Sequence, residues 1–153
     1  MNNIGTSWSN KIATHTWQVG GNTFDNIYSA TPPNAYKNEI TSPAENTTYD
    51  AKVGLMYVSD YGYAAAPSAW TTTLGSYNSS SITSVNWMYM GLYDWTISRR
   101  SDRSNFAFIV YNVGDVLSST VGRSDAVRPV LYLASETAYA GGSGTAGSPI
   151  LIK

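Results

Sequence analysis

The sequence lacks the residues on which most enzyme active sites depend. It contains no cysteine and a single histidine, His15. The lack of cysteine excludes disulfides, thiolate nucleophiles and Cys-ligated metals, and one imidazole is too few for a His-based metal site. There is also no nucleophile-elbow motif and no P-loop motif. Asp60, Asp94 and Glu39 could form the carboxylate pair of a glycosidase, but each has a simpler structural role. We therefore expect no catalytic residue, no metal and no cofactor.

Charge is scarce as well. Charged residues make up 12% of the chain and the net charge is −1, so nucleic acid is not an expected partner. All five arginines lie between Arg99 and Arg128, which leaves open a cationic patch or ordinary solvated loops. No run approaches the roughly 18 apolar residues of a membrane span. We expect no membrane insertion of this chain, and any anchor is expected outside it.

Aromatic and small polar residues are abundant instead. The chain has twelve Tyr and five Trp among its 153 residues, a composition that suits a β-rich domain. The length predicts a single domain spanning 1–153. Long irregular connections and few helical patterns predict an α+β fold, mainly antiparallel β with one or two short helices and long loops.

The order of the elements follows from periodicity and from turn residues. Strands are predicted around 12–19, 52–58, 95–97, 106–111, 116–121, 127–133 and 149–152, and a helix preceded by two prolines over 34–40. Asp60 is predicted to cap a turn or short helix that ends before Pro67. Loops are predicted over 42–50, 74–84 and 140–148, and a hairpin turn at Asn112–Asp115.

Arg128 lies within the otherwise apolar segment 127–133. Its guanidinium is expected to be partly buried and to donate to carbonyls or to a carboxylate. We interpret it as an architectural clamp rather than a ligand contact. Pro129 in the same segment predicts an edge strand or a bulge. Trp87, Trp95 and Phe108 are expected to pack in the core.

Four segments together resemble a known family. They are GLMYVSDYGYA (54–64), NWMY (86–89), WTIS (95–98) and VRPVLYL (127–133). In this order they are similar to a bacterial surface and pilin-associated domain family with the C-type-lectin-like fold, in its formylglycine-generating-enzyme-like branch. That fold class includes the variable proteins of diversity-generating retroelements. The resemblance implies a C-type-lectin-like fold in which fixed framework residues display side chains that can change.

The chain departs from the active branches of this fold. It has no cysteines for the oxidase chemistry and no histidine cluster for the iron-dependent branch. It also lacks the Glu-Pro-Asn or Gln-Pro-Asp motif of the calcium-dependent sugar-binding lectins. The resemblance therefore implies a scaffold and leaves its ligand open.

We expect a non-enzymatic, adhesin-like ligand-recognition domain, in line with a retroelement-diversified variable protein, with its binding surface on residues 99–125. The partner is expected to be a protein or glycan on another cell or surface, and the location extracellular or at the cell surface. A structural pilin-like or cell-surface subunit with no dedicated ligand is the alternative. The predicted ligand-binding residues are Tyr89, Met90, Tyr93, Arg99, Arg100, Ser101, Arg103, Asn105, Phe106, Ile109, Tyr111, Asn112, Asp115, Leu117, Ser119, Arg123 and Asp125.

Overall fold

The computed structural model describes residues 6–153 and shows a mixed α+β chain with short helices. The α-helices are α1 (Thr6–Lys11), α2 (Phe24–Tyr28), α3 (Pro32–Tyr36), α4 (Val58–Tyr63) and α5 (Ser80–Thr83); a π-helical turn covers Lys37–Thr41, and 3₁₀ turns cover Pro67–Ala69 and Leu74–Ser76. The class is the predicted one, but the described residues form more short helices than the one or two expected. The predicted helix at 34–40 is found as α3 and the π-helical turn that continues it.

Within the described part of the chain, the strands pair antiparallel in four small sheets. They are β1 (His15–Gln18), β2 (Thr48–Ala51), β3 (Gly54–Leu55), β4 (Asp94–Arg99), β5 (Phe106–Val110), β6 (Val116–Thr120), β7 (Pro129–Val130), β8 (Tyr139–Gly141) and β9 (Leu151–Ile152). The sheets are β1–β2, β3–β7, β4–β5–β6 and β8–β9. The three-stranded sheet is the largest and provides one wall of the core.

The sheet β4–β5–β6 follows its sequence pattern closely. Burial alternates along β4, with Asp94, Thr96 and Ser98 buried. The predicted hairpin turn between β5 and β6 is confirmed, since the Tyr111 N–H donates to the Asp115 carbonyl over 2.8 Å. Gly114 in this turn has φ +105°, a backbone conformation that favours glycine.

The main core lies on one face of this sheet, against α2, α3 and α4. Phe108, Val110 and Val116 supply the sheet side of this cluster. Tyr61 and Tyr77 are fully buried on the helical side, and both hydroxyls find acceptors. Tyr61 donates to the Gly114 carbonyl over 2.8 Å, and Tyr77 donates to two backbone carbonyls. The hydroxyls of these two buried tyrosines are therefore satisfied within the core.

The structure contradicts two of the predicted elements, the strand over 52–58 and the loop over 74–84. The predicted strand 52–58 pairs only at Gly54–Leu55, and the chain then enters α4 at Val58. Helix α4 begins there because the Glu39 carboxylate accepts the N–H groups of Val58 and Ser59. The predicted surface loop 74–84 contains two helical turns with the buried side chains Leu74, Tyr77 and Ile82. Their burial comes from tertiary packing, which the Ser-rich composition does not reveal.

The predicted loop 42–50 and the predicted strands near the C-terminus also need correction. Residues 48–51 pair with β1, so the loop ends in a strand. The strand expected over 127–133 is reduced to Pro129–Val130, which pairs with β3. The final strand does form, but it pairs with β8 in an exposed hairpin rather than with the core sheet.

Arg128 is held as predicted. Its guanidinium donates to the Asp94 carboxylate and, over 2.8 Å, to the Met88 carbonyl. These two bonds connect the segment after β6 with the start of β4 and with the loop before it. Of the three predicted core aromatics, Phe108 is fully buried and Trp95 half-buried, whereas Trp87 is 78% exposed, so its assignment to the core was wrong.

Candidate functional site

The predicted surface on residues 99–125 is divided between the two ends of the sheet β4–β5–β6. Phe106 pairs with Thr120 at one end, and Val110 pairs with Val116 at the other. Four residue steps along a strand correspond to about 13 Å. The predicted residues thus form two separate clusters rather than one continuous patch.

The first cluster surrounds Arg100 and Phe106. The Arg100 guanidinium lies 5.2 Å from the centroid of the Phe24 ring and 5.7 Å from that of Phe106. It also pairs with Asp102 and donates to the Ser118 hydroxyl over 3.1 Å. Arg100 is largely covered by these contacts, so its main role here is packing. The pKa of Arg100 is raised by its bond with Asp102.

The second cluster is formed by tyrosines and Arg123. The Arg123 guanidinium lies 4.8 Å from the centroid of Tyr93, whose ring meets Tyr111 edge-on at 5.0 Å. Tyr89 donates to the Asn112 carbonyl over 2.8 Å, and Arg123 pairs with Asp125 over 3.0 Å. These predicted residues do come together, next to the β5–β6 turn.

Exposure separates the predicted residues into three groups. Met90, Arg103, Asn105, Asn112 and Arg123 are exposed; Tyr89, Tyr93, Arg99, Arg100, Ser101, Phe106, Tyr111, Asp115, Leu117 and Asp125 are half-buried; Ile109 and Ser119 are buried. Ile109 lies in the central strand between Trp95 and Leu117, at 0% exposure. Ile109 and Ser119 therefore offer no side-chain surface to a ligand.

The arginines do not form a cationic patch. Arg99 pairs with Glu45, Arg100 with Asp102, Arg123 with Asp125 and Arg128 with Asp94. Each of these four positive charges is thus matched locally by a carboxylate. Arg103 has no carboxylate partner among residues 6–153 and lies over the Phe106 ring at 5.2 Å.

A concave surface lies elsewhere, between β1, α4 and the segment after β7. We call it the aromatic cleft, and it has two lobes. The polar lobe, of about 320 Å³, is lined by His15, Thr16, Gln18, Tyr36, Ile40, Tyr57, Ser59, Asp60 and Tyr132. The apolar lobe, of about 350 Å³, is lined by Met56, Asp60, Tyr63, Ala64, Trp87, Met88, Val130 and Tyr132. Asp60 and Tyr132 line both lobes and so join them.

Aromatic stacking fixes the wall between the lobes. The Tyr132 ring lies over His15, with centroids 4.0 Å apart, and contacts Trp17 at 5.5 Å. Trp17 is buried beneath it and donates from Nε1 to the Ala51 carbonyl over 3.0 Å. Tyr132 is therefore held in place although it remains partly exposed.

The polar lobe contains oxygens that the described residues leave unsatisfied. Gln18 Oε1 and Ser59 Oγ are buried and accept or donate no hydrogen bond within residues 6–153, and Ser59 is only 1% exposed. The Ser59 hydroxyl lies close enough to the Glu39 carboxylate to favour its charged form, but without the geometry of a hydrogen bond. Buried polar atoms of this kind are uncommon, and a ligand hydroxyl or amide would satisfy them.

The two carboxylates near the start of α4 differ in function. Glu39 is buried; it binds two backbone N–H groups at 3.0 and 2.9 Å and accepts the Ser98 hydroxyl. Burial raises its pKa, and these hydrogen bonds oppose the shift. Glu39 is fully occupied in holding α4 and does not line the cleft.

Asp60 is the carboxylate that faces the cleft. Its Oδ2 accepts the Tyr57 N–H over 2.9 Å, and Oδ1 accepts no hydrogen bond from residues 6–153. Burial raises the pKa of Asp60, and the bond from Tyr57 opposes this. Part of the Asp60 side chain is exposed, but the carboxylate lies where the two lobes meet and water is partly excluded. The Tyr57 hydroxyl accepts the Gln18 N–H, and burial raises the Tyr57 pKa to about 12.

Sequence reasoning missed this cleft. Its residues come from the segments 54–64, 86–89 and 127–133, which the sequence pattern indicates as framework, from β1 and α3, and from Ile40 in the π-helical turn. One signal was present in the sequence: Asp60, Tyr63 and Tyr132 are polar-tipped residues within otherwise apolar segments. The exposure of Trp87 was not predictable, because Trp is among the residues most often buried on average.

Comparisons with known proteins give no relative from which a role could be transferred. No family model matches the chain, and neither a curated protein nor a solved structure shows significant similarity to it. Within residues 6–153, no group of three or more His, Asp or Glu side chains could hold a metal ion. The helices in the same range are all too short or too polar to cross a membrane.

Proposed function

We propose that this chain is a non-enzymatic ligand-recognition domain and that the aromatic cleft is its binding site. The observation that carries this proposal is the composition of the cleft: exposed aromatic rings, one carboxylate, and buried polar oxygens without a protein partner. Small-molecule sites commonly combine apolar and aromatic walls with a few polar groups that fix orientation. Each lobe falls at the lower end of the usual range of pocket volumes, roughly 300–1,000 Å³.

The distribution of carboxylates supports recognition over catalysis. A glycosidase needs two carboxyl groups flanking one scissile bond. Of the three candidates from the sequence, Asp60 lines the cleft, Glu39 is occupied at α4, and Asp94 pairs with Arg128. The pair that hydrolysis would require is thus not assembled in this cleft.

A binding screen tests the proposal directly. Saturation-transfer NMR would be run on the protein with mono- and oligosaccharides, amines and quaternary ammonium compounds. Ligands that bind would be repeated with Trp87→Ala and with Trp8→Ala, an exposed Trp outside the cleft. We expect binding to be lost in Trp87→Ala and retained in Trp8→Ala. Binding that survives in Trp87→Ala, no binding at all, or cleavage of a bound compound would each contradict the proposal.

The cluster of Tyr93, Tyr111 and Arg123 favours a second candidate site. Tyr and Arg are frequent in the hot spots of protein interfaces, and these three side chains are in contact. As a retroelement-diversified variable protein with a C-type-lectin-like fold, the chain would bind a protein or glycan on another cell through this surface. The long loops around the antiparallel sheet support such a display function.

Genomic sequence tests this second candidate. Diversification predicts a nearby near-copy of the codons for residues 86–133 that differs only at adenines, beside a reverse transcriptase gene. Identical gene copies in sister strains and no such template would argue against it. If replacing Tyr93, Tyr111 and Arg123 together also left every partner bound, a structural surface subunit would be favoured.

A further inference from the structure

We propose that the apolar lobe of the aromatic cleft binds a trimethylammonium group, with the Asp60 carboxylate as its counter-charge. This inference rests on the proposed function and names the chemical class of its ligand. Three aromatic side chains, Trp87, Tyr63 and Tyr132, line the lobe together with Asp60. Aromatic faces that surround a cation stabilise it through the negative potential of their π-systems, and quaternary ammonium groups are recognised in this way.

The remaining lining favours an alkylated cation over a sugar. Besides the three aromatic residues, the lobe is lined by Met56, Ala64, Met88 and Val130. A sugar ring needs several hydrogen-bonding partners around its hydroxyls, because polar groups buried without partners cost free energy. A trimethylammonium group has no hydrogen-bond donor, so an apolar lining leaves none of its atoms without a hydrogen-bond partner. The polarisable sulfur atoms of the methionines are suitable neighbours for such a group.

The charge around the lobe selects a cation. Among residues 6–153, no Lys or Arg lines either lobe. Arg128, two residues before Val130, is already engaged by Asp94 and the Met88 carbonyl. Asp60 forms no ion pair within residues 6–153, so its charge is free to attract a cation from solution. The same carboxylate would repel phosphate or carboxylate groups on a ligand.

The neighbouring polar lobe indicates what the cation is attached to. Two of the buried atoms without partners, Ser59 Oγ and Gln18 Oε1, belong to residues that line the polar lobe, which Asp60 and Tyr132 join to the apolar one. A ligand that carries a hydroxyl beside its ammonium group would occupy both lobes. The structure therefore favours a choline-type alcohol over phosphocholine or a betaine.

Titration calorimetry with choline tests the assignment. Three further probes isolate its parts: 3,3-dimethylbutan-1-ol, which has the same shape without the charge, phosphocholine, and methyl glucoside. We expect choline to bind about tenfold more tightly than the neutral alcohol. Phosphocholine should bind more weakly than choline.

Variants then assign the interaction to residues. Asp60→Asn should weaken choline binding about tenfold and leave the neutral alcohol unchanged, because it removes the charge and keeps the shape. Trp87→Ala should abolish binding of both, while Trp87→Phe should retain part of it. Asp102→Asn is the matched control, since Asp102 is an exposed carboxylate outside the cleft, and it should have no effect.

The outcomes separate this inference from the proposed function. Equal affinity for choline and the neutral alcohol, or unchanged choline binding in Asp60→Asn, would overturn the ammonium assignment. Methyl glucoside binding that depends on Trp87, without choline binding, would also overturn it but would keep the recognition domain. Binding of none of the probes, together with a negative screen, would overturn both.

Discussion

Replacing Arg128 with Met should destabilise the fold strongly, because it leaves a buried carboxylate without its cation. The side chain of Asp94 is 5% exposed and that of Arg128 is 25% exposed. Asp94 Oδ1 already has no partner within residues 6–153, so Arg128 is its main source of stabilisation. The Met88 carbonyl would lose a donor as well.

The magnitude follows from the cost of breaking a buried pair from one side, about 3–5 kcal/mol. Arg128 keeps some exposure to water, so we expect the lower end, about 3 kcal/mol. Urea unfolding followed by tryptophan fluorescence should show a midpoint lower by about 1–3 M, given an m-value of about 1–3 kcal/mol/M. Such a loss is a large share of the stability of a typical domain, about 5–15 kcal/mol.

Two further variants complete this experiment. Arg103→Met makes the same substitution at an exposed arginine without a carboxylate partner among the described residues, and it should change stability by less than about 0.5 kcal/mol. The double variant Asp94→Asn/Arg128→Met removes the orphaned charge and should recover part of the loss. If Arg128→Met and Arg103→Met unfold at the same urea concentration, Arg128 is not a structural clamp.

Three other predictions concern single groups. Gly114→Ala should cost about 2–3 kcal/mol in chemical denaturation, since φ there is +105° and a Cβ would lie 2.5 Å from Thr83 Cγ2; an unchanged midpoint would contradict the turn geometry. Burial raises the pKa of Glu39 in the folded protein, so the folded state favours the protonated side chain. The stability that this preference contributes is fully present at low pH and is lost as pH rises through the folded-state pKa. Glu39→Gln should abolish this slope in pH-dependent unfolding, and should cost about 1–3 kcal/mol because its amide cannot accept both N–H groups; an identical slope would refute this assignment. Choline binding, measured by calorimetry, should weaken on acidification as Asp60 protonates, beginning at a higher pH than for an ordinary Asp because its pKa is raised; binding in Asp60→Asn should lack this component.

In the last experiment, the effect of Asp60 protonation on choline binding has to be distinguished from the effects of other titratable groups nearby. His15 lines the polar lobe, Glu39 lies at the start of α4, and Tyr57, Tyr63 and Tyr132 line the cleft. A protonated His15 would also oppose a cation. His15→Gln therefore serves as the control, and the loss of binding on acidification should persist in that variant.

Local patterns predicted the parts of the fold that local interactions determine. The β5–β6 hairpin follows from alternation and from a turn sequence that contains Gly114. The environment of Arg128 followed from a cation in an apolar segment, which must find partners. Both arguments needed only a few consecutive residues.

The failures involve contacts between distant segments. Helix α4 begins at Val58 because a carboxylate from the preceding π-helical turn accepts its first N–H groups. Ile109 looked accessible in the sequence, but its neighbours across the sheet cover it. Trp87 looked like a core residue but lies exposed at the rim of the cleft. Hydrophobic periodicity gives no information about contacts between distant segments, so the cleft could not be predicted from the sequence.

The contact between Tyr132 and His15 has a consequence for the lifetime of the folded state. The two rings come from segments near opposite ends of the chain, and both line the polar lobe. Such non-local contacts tend to form slowly during folding. A compound bound against both rings would stabilise only the folded chain, by RT ln(1 + [L]/Kd). Occupancy of the cleft should thus slow the opening of the β1 and 130–132 segments and protect both from proteolysis.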